Sequence, residues 1–195
     1  RQPVPRKVID PEPEQQGEKR VKLHKVAELP AVAIAYKSVS VSSSDFHALV
    51  LLATILSRGQ SSRLYQKLVY DEQMVTEASA GTDEYTDPGL FTIYTQMRQG
   101  KDTDDAEEEI YKIIDAIVGE GVGAEELEKA KNTALSDYVD EFKTNLGVAG
   151  RLGYYEVVHG GYKKSFKVSE EYARVTVDDI KRVAAKYLTE RKRTV

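Results

Sequence analysis

The hydrophobic spacing of this chain changes period part-way along, and that change limits the fold more than anything else in it. "AVAIAYKSVS" at 31–40 alternates apolar and polar side chains, the period of two of a half-buried strand. Before Pro30, "KRVKLHKV" alternates Val21 and Leu23 with Lys22 and His24 in the same way, which predicts another strand. "MVTEASAGTDEY" and "GLFTIYTQMR" return to that period around the turn "TDPG" and predict a hairpin. Four strand candidates of this kind form one sheet, mainly antiparallel.

Helical spacing lies between and after them. "SSSDFHALVLLATILSRG" offers Ser44 or Asp45 as N-cap and Gly59 as its stop. Ser61 or Ser62 can cap a second, short helix through Leu64, Leu68 and Val69. The second half is mostly helical: Ala106, Ile110, Ile113, Ile114 and Ile117 share a face that ends at Gly119 to Gly123. Leu127, Ala130, Ala134, Tyr138 and Phe142 outline the next helix, which is expected to bend near Gly147 and continue through Leu152 and Tyr155. Thr176 with Asp179 caps the last helix, which carries Ile180, Val183, Ala184, Tyr187 and Leu188. "RTV" after it reads as the start of a strand cut short. This order describes an α+β domain with a helix-rich second half, the helices at 44–57 and 124–143 packed on the sheet.

Residues 1–17 carry Pro3, Pro5, Pro11 and Pro13 among charges and read as an extended linker, so the folded domain is expected over 18–195. A first residue that is Arg rather than Met points to a longer natural protein. The apolar run "HALVLLATIL" is about half of what a bilayer span needs, which excludes a membrane-crossing segment by this route. A net charge of −4, with no basic stripe among aromatics, argues against nucleic acid as a partner.

Candidate chemistry is sparse. The chain has no cysteine, which removes thiolate nucleophiles and Cys-based zinc sites. His24, His47 and His159 lie far apart in sequence, without a second His or Glu at metal-ligand spacing. "GEGVG" at 119–123 lacks the Lys-Ser/Thr of a phosphate loop, and "DTDDAEEE" at 102–109 sits where a helix N-terminus favours acidic residues. No Ser-His-Asp set can be drawn. Within "GQSSRLYQKLVYDEQMVTEASAG", Arg63 and Tyr65 fall in the first turn of the short helix, Tyr65 packed and Arg63 satisfying carbonyls or a carboxylate. The residues by themselves describe a domain with no catalytic centre of its own.

Four stretches together resemble the zinc peptidases of the pitrilysin/insulinase (M16) family, with mitochondrial processing peptidase and the bc1 core proteins as relatives: "GEKRVKLHKVAELPAVAIAY", "HALVLLATILSRGQSSRLYQKLV", "YTDPGLFTIYTQMRQG" and "VTVDDIKRVAAKYLTERKRTV". The resemblance implies a LuxS/MPP-like metallohydrolase fold and, more narrowly, the second, non-metal domain of a bacterial-type HxxEH-bearing subunit. It further implies zinc in a preceding domain, peptide substrates and, by analogy alone, a periplasmic location. The partners implied are the chain's own N-terminal catalytic domain and a like or Arg/Tyr-bearing subunit in a homodimer or heterodimer. Matched to the Arg/Tyr motif of such partners, "LVYDEQMVT" puts Val69 and Thr76 at the two positions, where neither can supply a guanidinium or a phenol. Arg63, Tyr65, Val69 and Thr76 are therefore candidate structural residues; catalytic and metal-binding residues are expected elsewhere. An inactive scaffold subunit like the bc1 core proteins, or a plain binding module, remains open beside this reading.

Overall fold

The computed structural model describes residues 12–24, 26 and 28–195. Three strands arise where the alternation predicts them: β1 (Ala31–Lys37), β2 (Val75–Thr82) and β3 (Leu90–Met97). With β4 (Arg193–Thr194) they form an antiparallel sheet in the order β2-β3-β1-β4. The register sets Ile34 opposite Ile93 and Tyr36 opposite Phe91, so one face of the sheet is a continuous apolar surface.

Helix α1 (Phe46–Ser57) lies against β2 on that face, and α2 (Thr103–Glu120) reaches β1 beside it. Leu49, Leu51, Leu52 and Leu56 are all fully buried, though they point to different sides of α1. A helix apolar nearly all round must be covered all round. The outer cover comes from α3 (Ala124–Asp140), α5 (Val168–Arg174) and α6 (Val177–Tyr187). The helix at 124–143 was expected on the sheet; α3 instead packs on α1, because α1 presents a second apolar side. Asp102 caps α2 by accepting from the Asp104 N–H, with Asp104 and Asp105 in its first turn, so the acidic run there serves the helix N-terminus. Thr176 and Asp179 cap α6 reciprocally, as their spacing predicts.

Four features depart from the sequence reading. The strand expected at 19–26 is reduced to an isolated bridge from Lys19 to Thr194, with one further bond from the Val21 N–H to the Val195 carbonyl. Val21, Leu23 and Val26 are 63%, 74% and 109% exposed, so no layer covers the apolar side of this run. The short helix after Gly59 is π-helical over Tyr65–Asp71, with the Glu72 N–H donating to the Lys67 carbonyl, and it ends at Gln73 with φ 50. The single bent helix is two helices, α3 and α4 (Asn145–Val158). Finally, 159–175, unassigned from sequence, holds a 3-10 segment (Tyr162–Lys167) and α5, anchored by buried Val168, Tyr172 and Val175. The linker expected over 1–17 lies outside the described residues for 1–11; residues 12–17 carry no regular element, and Gln15 donates to the Arg193 carbonyl at 2.7 Å.

Gly147 explains the break between α3 and α4. Thr144 caps α4 by accepting from the Gly147 N–H at 3.0 Å, and this turn brings the Glu141 carbonyl so close that a Cβ on Gly147 would stand 1.9 Å from its oxygen. Gly147→Ala is expected to destabilise the domain by about 2 kcal/mol through this clash. Gly150→Ala on the same helix meets nothing within 4 Å and is expected to be neutral or stabilising by up to about 1 kcal/mol. Urea denaturation of the two variants side by side checks both.

Candidate functional site

The stretch after α1 is built as an anchored bend. Arg58 ends the helix, Gly59 turns the chain at φ 79, and the Ser62 hydroxyl donates to the Gly59 carbonyl at 2.7 Å. Ser62 thus closes the turn as a donor, where a capping acceptor was expected. Arg63 then extends to the start of α3, where Nε and Nη2 each donate to Glu126 at 2.8 Å and Nη2 also meets the Gly121 carbonyl at 3.3 Å. The Arg63 guanidinium beside Glu126 outweighs partial burial and holds that carboxyl below its ordinary range. Glu126 in turn accepts from the Gly123 N–H, so a single carboxylate fixes the π-helical bend and the α2–α3 turn together.

Tyr65 is half-buried beside fully buried Leu64 and Leu68, and Val69 packs partly buried against the same core. Thr76 is exposed at the bulge between Val75 and Glu77 and donates to the Gln96 carbonyl at 3.2 Å. Tyr70, seven residues after Arg63, is 68% exposed. Arg63 is held by Glu126 while Tyr70 faces outward, so the two are not brought together as a pair. A guanidinium clamped in this way is poorly placed to receive a substrate oxygen.

Sequence reasoning missed two polar clusters. Asp45, considered only as an N-cap, makes no capping bond; its buried carboxylate accepts from Arg182 at 2.7 Å, Lys186 at 2.9 Å and Tyr187 at 2.7 Å. Burial opposes ionisation here, but these three donors prevail and draw the carboxyl down to about 2. The second cluster gathers around Arg151, whose Nη1 lies 3.0 Å from Glu84 Oε2 and whose Nε lies 3.0 Å from Glu141 Oε2 without hydrogen-bond alignment. Its guanidinium stands 5.1 Å from the ring centroids of Tyr138 and Tyr155 and 5.5 Å from that of Tyr154. Burial works to raise the Glu84 carboxyl, yet neighbouring His159 and Arg151 keep it lowered. One signal was available: Arg151 and Glu156 are the only charges in "NLGVAGRLGYYEVV".

Among the described residues no three His, Asp or Glu side chains gather as metal ligands would. His47 and His159 both approach Phe46, but no third ligand accompanies them. Those two rings fall short of the three or four ligands that zinc takes. No described helix is long and apolar enough to cross a membrane.

Among the described residues no helix covers the opposite face of the sheet. Ala31, Ala33, Leu90 and Tyr94 are exposed there, with Glu77 and Gly81 along the β2 edge. It is a shallow surface of small side chains around one tyrosine.

Residues 1–134 match the model of the peptidase M16 inactive domain. The chain belongs to the M16 peptidase family, as its inactive domain. The zinc protease PqqE of Helicobacter pylori is 24% identical to this M16 domain over 94% of the chain and 41% of its own length. Subunit 2 of the rat mitochondrial cytochrome b-c1 complex is 24% identical over 82% of the chain and 37% of its own length. Among solved structures, the inactive peptidase domain of a candidate zinc protease from Bordetella parapertussis superposes with a TM-score of 0.77 at 28% identity, covering 89% of this chain and 94% of that one. The M16 domain thus spans about two-fifths of the curated relatives it matches, and a neighbour of its own length adopts the same fold.

Proposed function

We propose that this M16 domain supports a zinc-bearing HxxEH domain preceding it in the same protein, and that its bare sheet face forms part of the wall of a chamber around a peptide substrate. The uncovered face carries this reading: a sheet packed on one side only, with small side chains on the other, presents a wide surface that a second domain can face across a substrate. Zinc would sit in the preceding domain, peptide hydrolysis would take place there, and residues 1–17 would connect the two. Arg63, Tyr65, Val69 and Thr76 then have structural duties. A like or Arg/Tyr-bearing M16 subunit would complete the enclosure, and the proposed compartment is the bacterial periplasm.

A second reading, an inactive scaffold subunit, is favoured by the match to the cytochrome b-c1 subunit. The two separate on one observation, the presence or absence of HxxEH in the complete gene product. In the full-length protein, Arg63→Ala is expected to cost about 1 kcal/mol of stability, the scale of a half-exposed ion pair, with kcat of the folded enzyme within about twofold of wild type. Val69→Ala should likewise lower stability by about 1 kcal/mol through lost packing and leave kcat alone. A hundredfold fall in kcat for folded Arg63→Ala enzyme would overturn the supporting role.

A further inference from the structure

Two segments from opposite ends of the sequence meet at one edge of the sheet. β4 has two residues and lies between β1 on one side and residues 19–21 on the other. The Lys19 N–H donates to the Arg193 carbonyl at 3.1 Å, the Val195 N–H to the Lys19 carbonyl at 2.8 Å and the Val21 N–H to the Val195 carbonyl at 2.8 Å. A strand of two residues is short for a stable pairing, so main-chain bonds alone are a weak hold on this edge.

Side chains strengthen it. Glu18, Arg20, Glu107, Tyr111 and Arg193 close a ring that joins the N-terminal segment, α2 and β4. Arg20 donates through both Nη atoms to buried Glu107, at 2.8 and 2.6 Å, and through Nε and Nη2 to Glu18, at 3.1 and 3.0 Å. Arg193 donates through Nε to Glu18, and its guanidinium lies 3.9 Å from the Tyr111 ring centroid, while the Tyr111 hydroxyl donates to Glu107 at 2.5 Å. Arg20 comes first among the groups that draw the Glu107 carboxyl below its ordinary range. Farther back along the chain, Gln15 donates to the same Arg193 carbonyl that Lys19 uses. Lys37 Nζ donates to the Pro13 carbonyl at 2.8 Å and stands 3.0 Å from Glu12. Lys37 is opposite Leu90 in the register, so it belongs to the bare face. The chain therefore meets the domain beside that face, at the end of β1, and runs from there to β4.

We propose that residues 12–21 form a latch: they close over β4 and α2, open together with β4 as one unit, and hold the incoming chain at the edge of the bare face. The latch is built within this domain and does not depend on the chamber reading. Under that reading it restrains a preceding domain beside the face it is proposed to cover. Amide hydrogen exchange of the whole 195-residue chain, resolved by NMR, tests it. Lys19, Val21 and Val195 are expected to have protection factors that agree within about threefold, as amides released by one opening do. The double variant Glu18→Gln/Glu107→Gln should lower all three by at least about tenfold and leave fully buried Leu52 of α1 and Ile93 of β3 protected as in wild type. Gln15→Ala removes the bonds to the Gly17 and Arg193 carbonyls and should lower the same three by about two- to fourfold. Lys112→Gln, on the exposed side of α2, should change none of them. Unprotected Lys19 and Val21 in the wild-type chain, or a variant that frees Val21 while Val195 keeps its protection, would overturn the latch. So would equal losses at Leu52 and Ile93 in the Gln15 variant, because the segment would then open only with the whole domain.

Discussion

Asp45→Asn is expected to lower the stability of the domain by about 3 kcal/mol at pH 7. The carboxylate is only 7% exposed at its side chain and accepts from Arg182, Lys186 and Tyr187, so it joins the first turn of α1 to α6. Removing one partner of a buried pair typically costs 3–5 kcal/mol. The low end applies because Arg182 and Lys186 are about half exposed and recover water. The same carboxylate gives the domain an acid limb. Its folded pKa, about 2, lies below the unfolded value of 3.8, so its contribution is fully present above about pH 4 and disappears as pH falls toward 2. That window is worth about 2 kcal/mol. Glu84, Glu126 and Asp179 are lowered as well and keep some slope in any single variant. Urea denaturation at pH 7, 4 and 2.5 should show the Asn variant converging on wild type as the pH falls. Parallel curves would remove Asp45 from this role.

What the sequence disclosed was local. β1, the β2–β3 hairpin, α1, α2 and α6 follow from a clean period and, for α6, from a reciprocal cap only three residues long. The π-helical bend at 65–71 was not legible, because Leu64 and Leu68 keep a four-residue spacing whichever backbone bond closes the turn. Nor was the exposure of Val21, Leu23 and Val26: an alternating run describes a strand with one side buried, and only the sheet decides whether a layer covers that side. The break at Gly147 depended on the Glu141 carbonyl folding back over it, a contact that a helical periodicity does not encode. The site was the least legible part. Glu126 is 63 residues from Arg63, and Asp45 meets partners 137 to 142 residues away; long-range ion pairs carry no spacing rule.

Arg151 shows how far such a pair can matter, and Arg151→Met should cost about 3 to 4 kcal/mol. The guanidinium is mostly buried beneath three tyrosine rings and faces Glu84 and Glu141, linking α4 to the segment that follows β2. Methionine preserves much of the volume, so the loss measures charge and hydrogen bonding more than packing. Glu141 is about half exposed and can rehydrate, whereas Glu84 is left in a poorly hydrated position with His159 as its remaining neighbour. The damage should therefore fall mainly on Glu84. Glu84→Gln alone should destabilise by about 2 kcal/mol, since Arg151 retains Glu141 and the rings. The double variant Arg151→Met/Glu84→Gln should then be more stable than the sum of the two losses by about 1 to 2 kcal/mol, because the carboxylate that suffered most is no longer charged. Chemical denaturation of the four proteins closes the cycle, and strictly additive losses would mean that Arg151 acts through the tyrosine stack and Glu141 without Glu84.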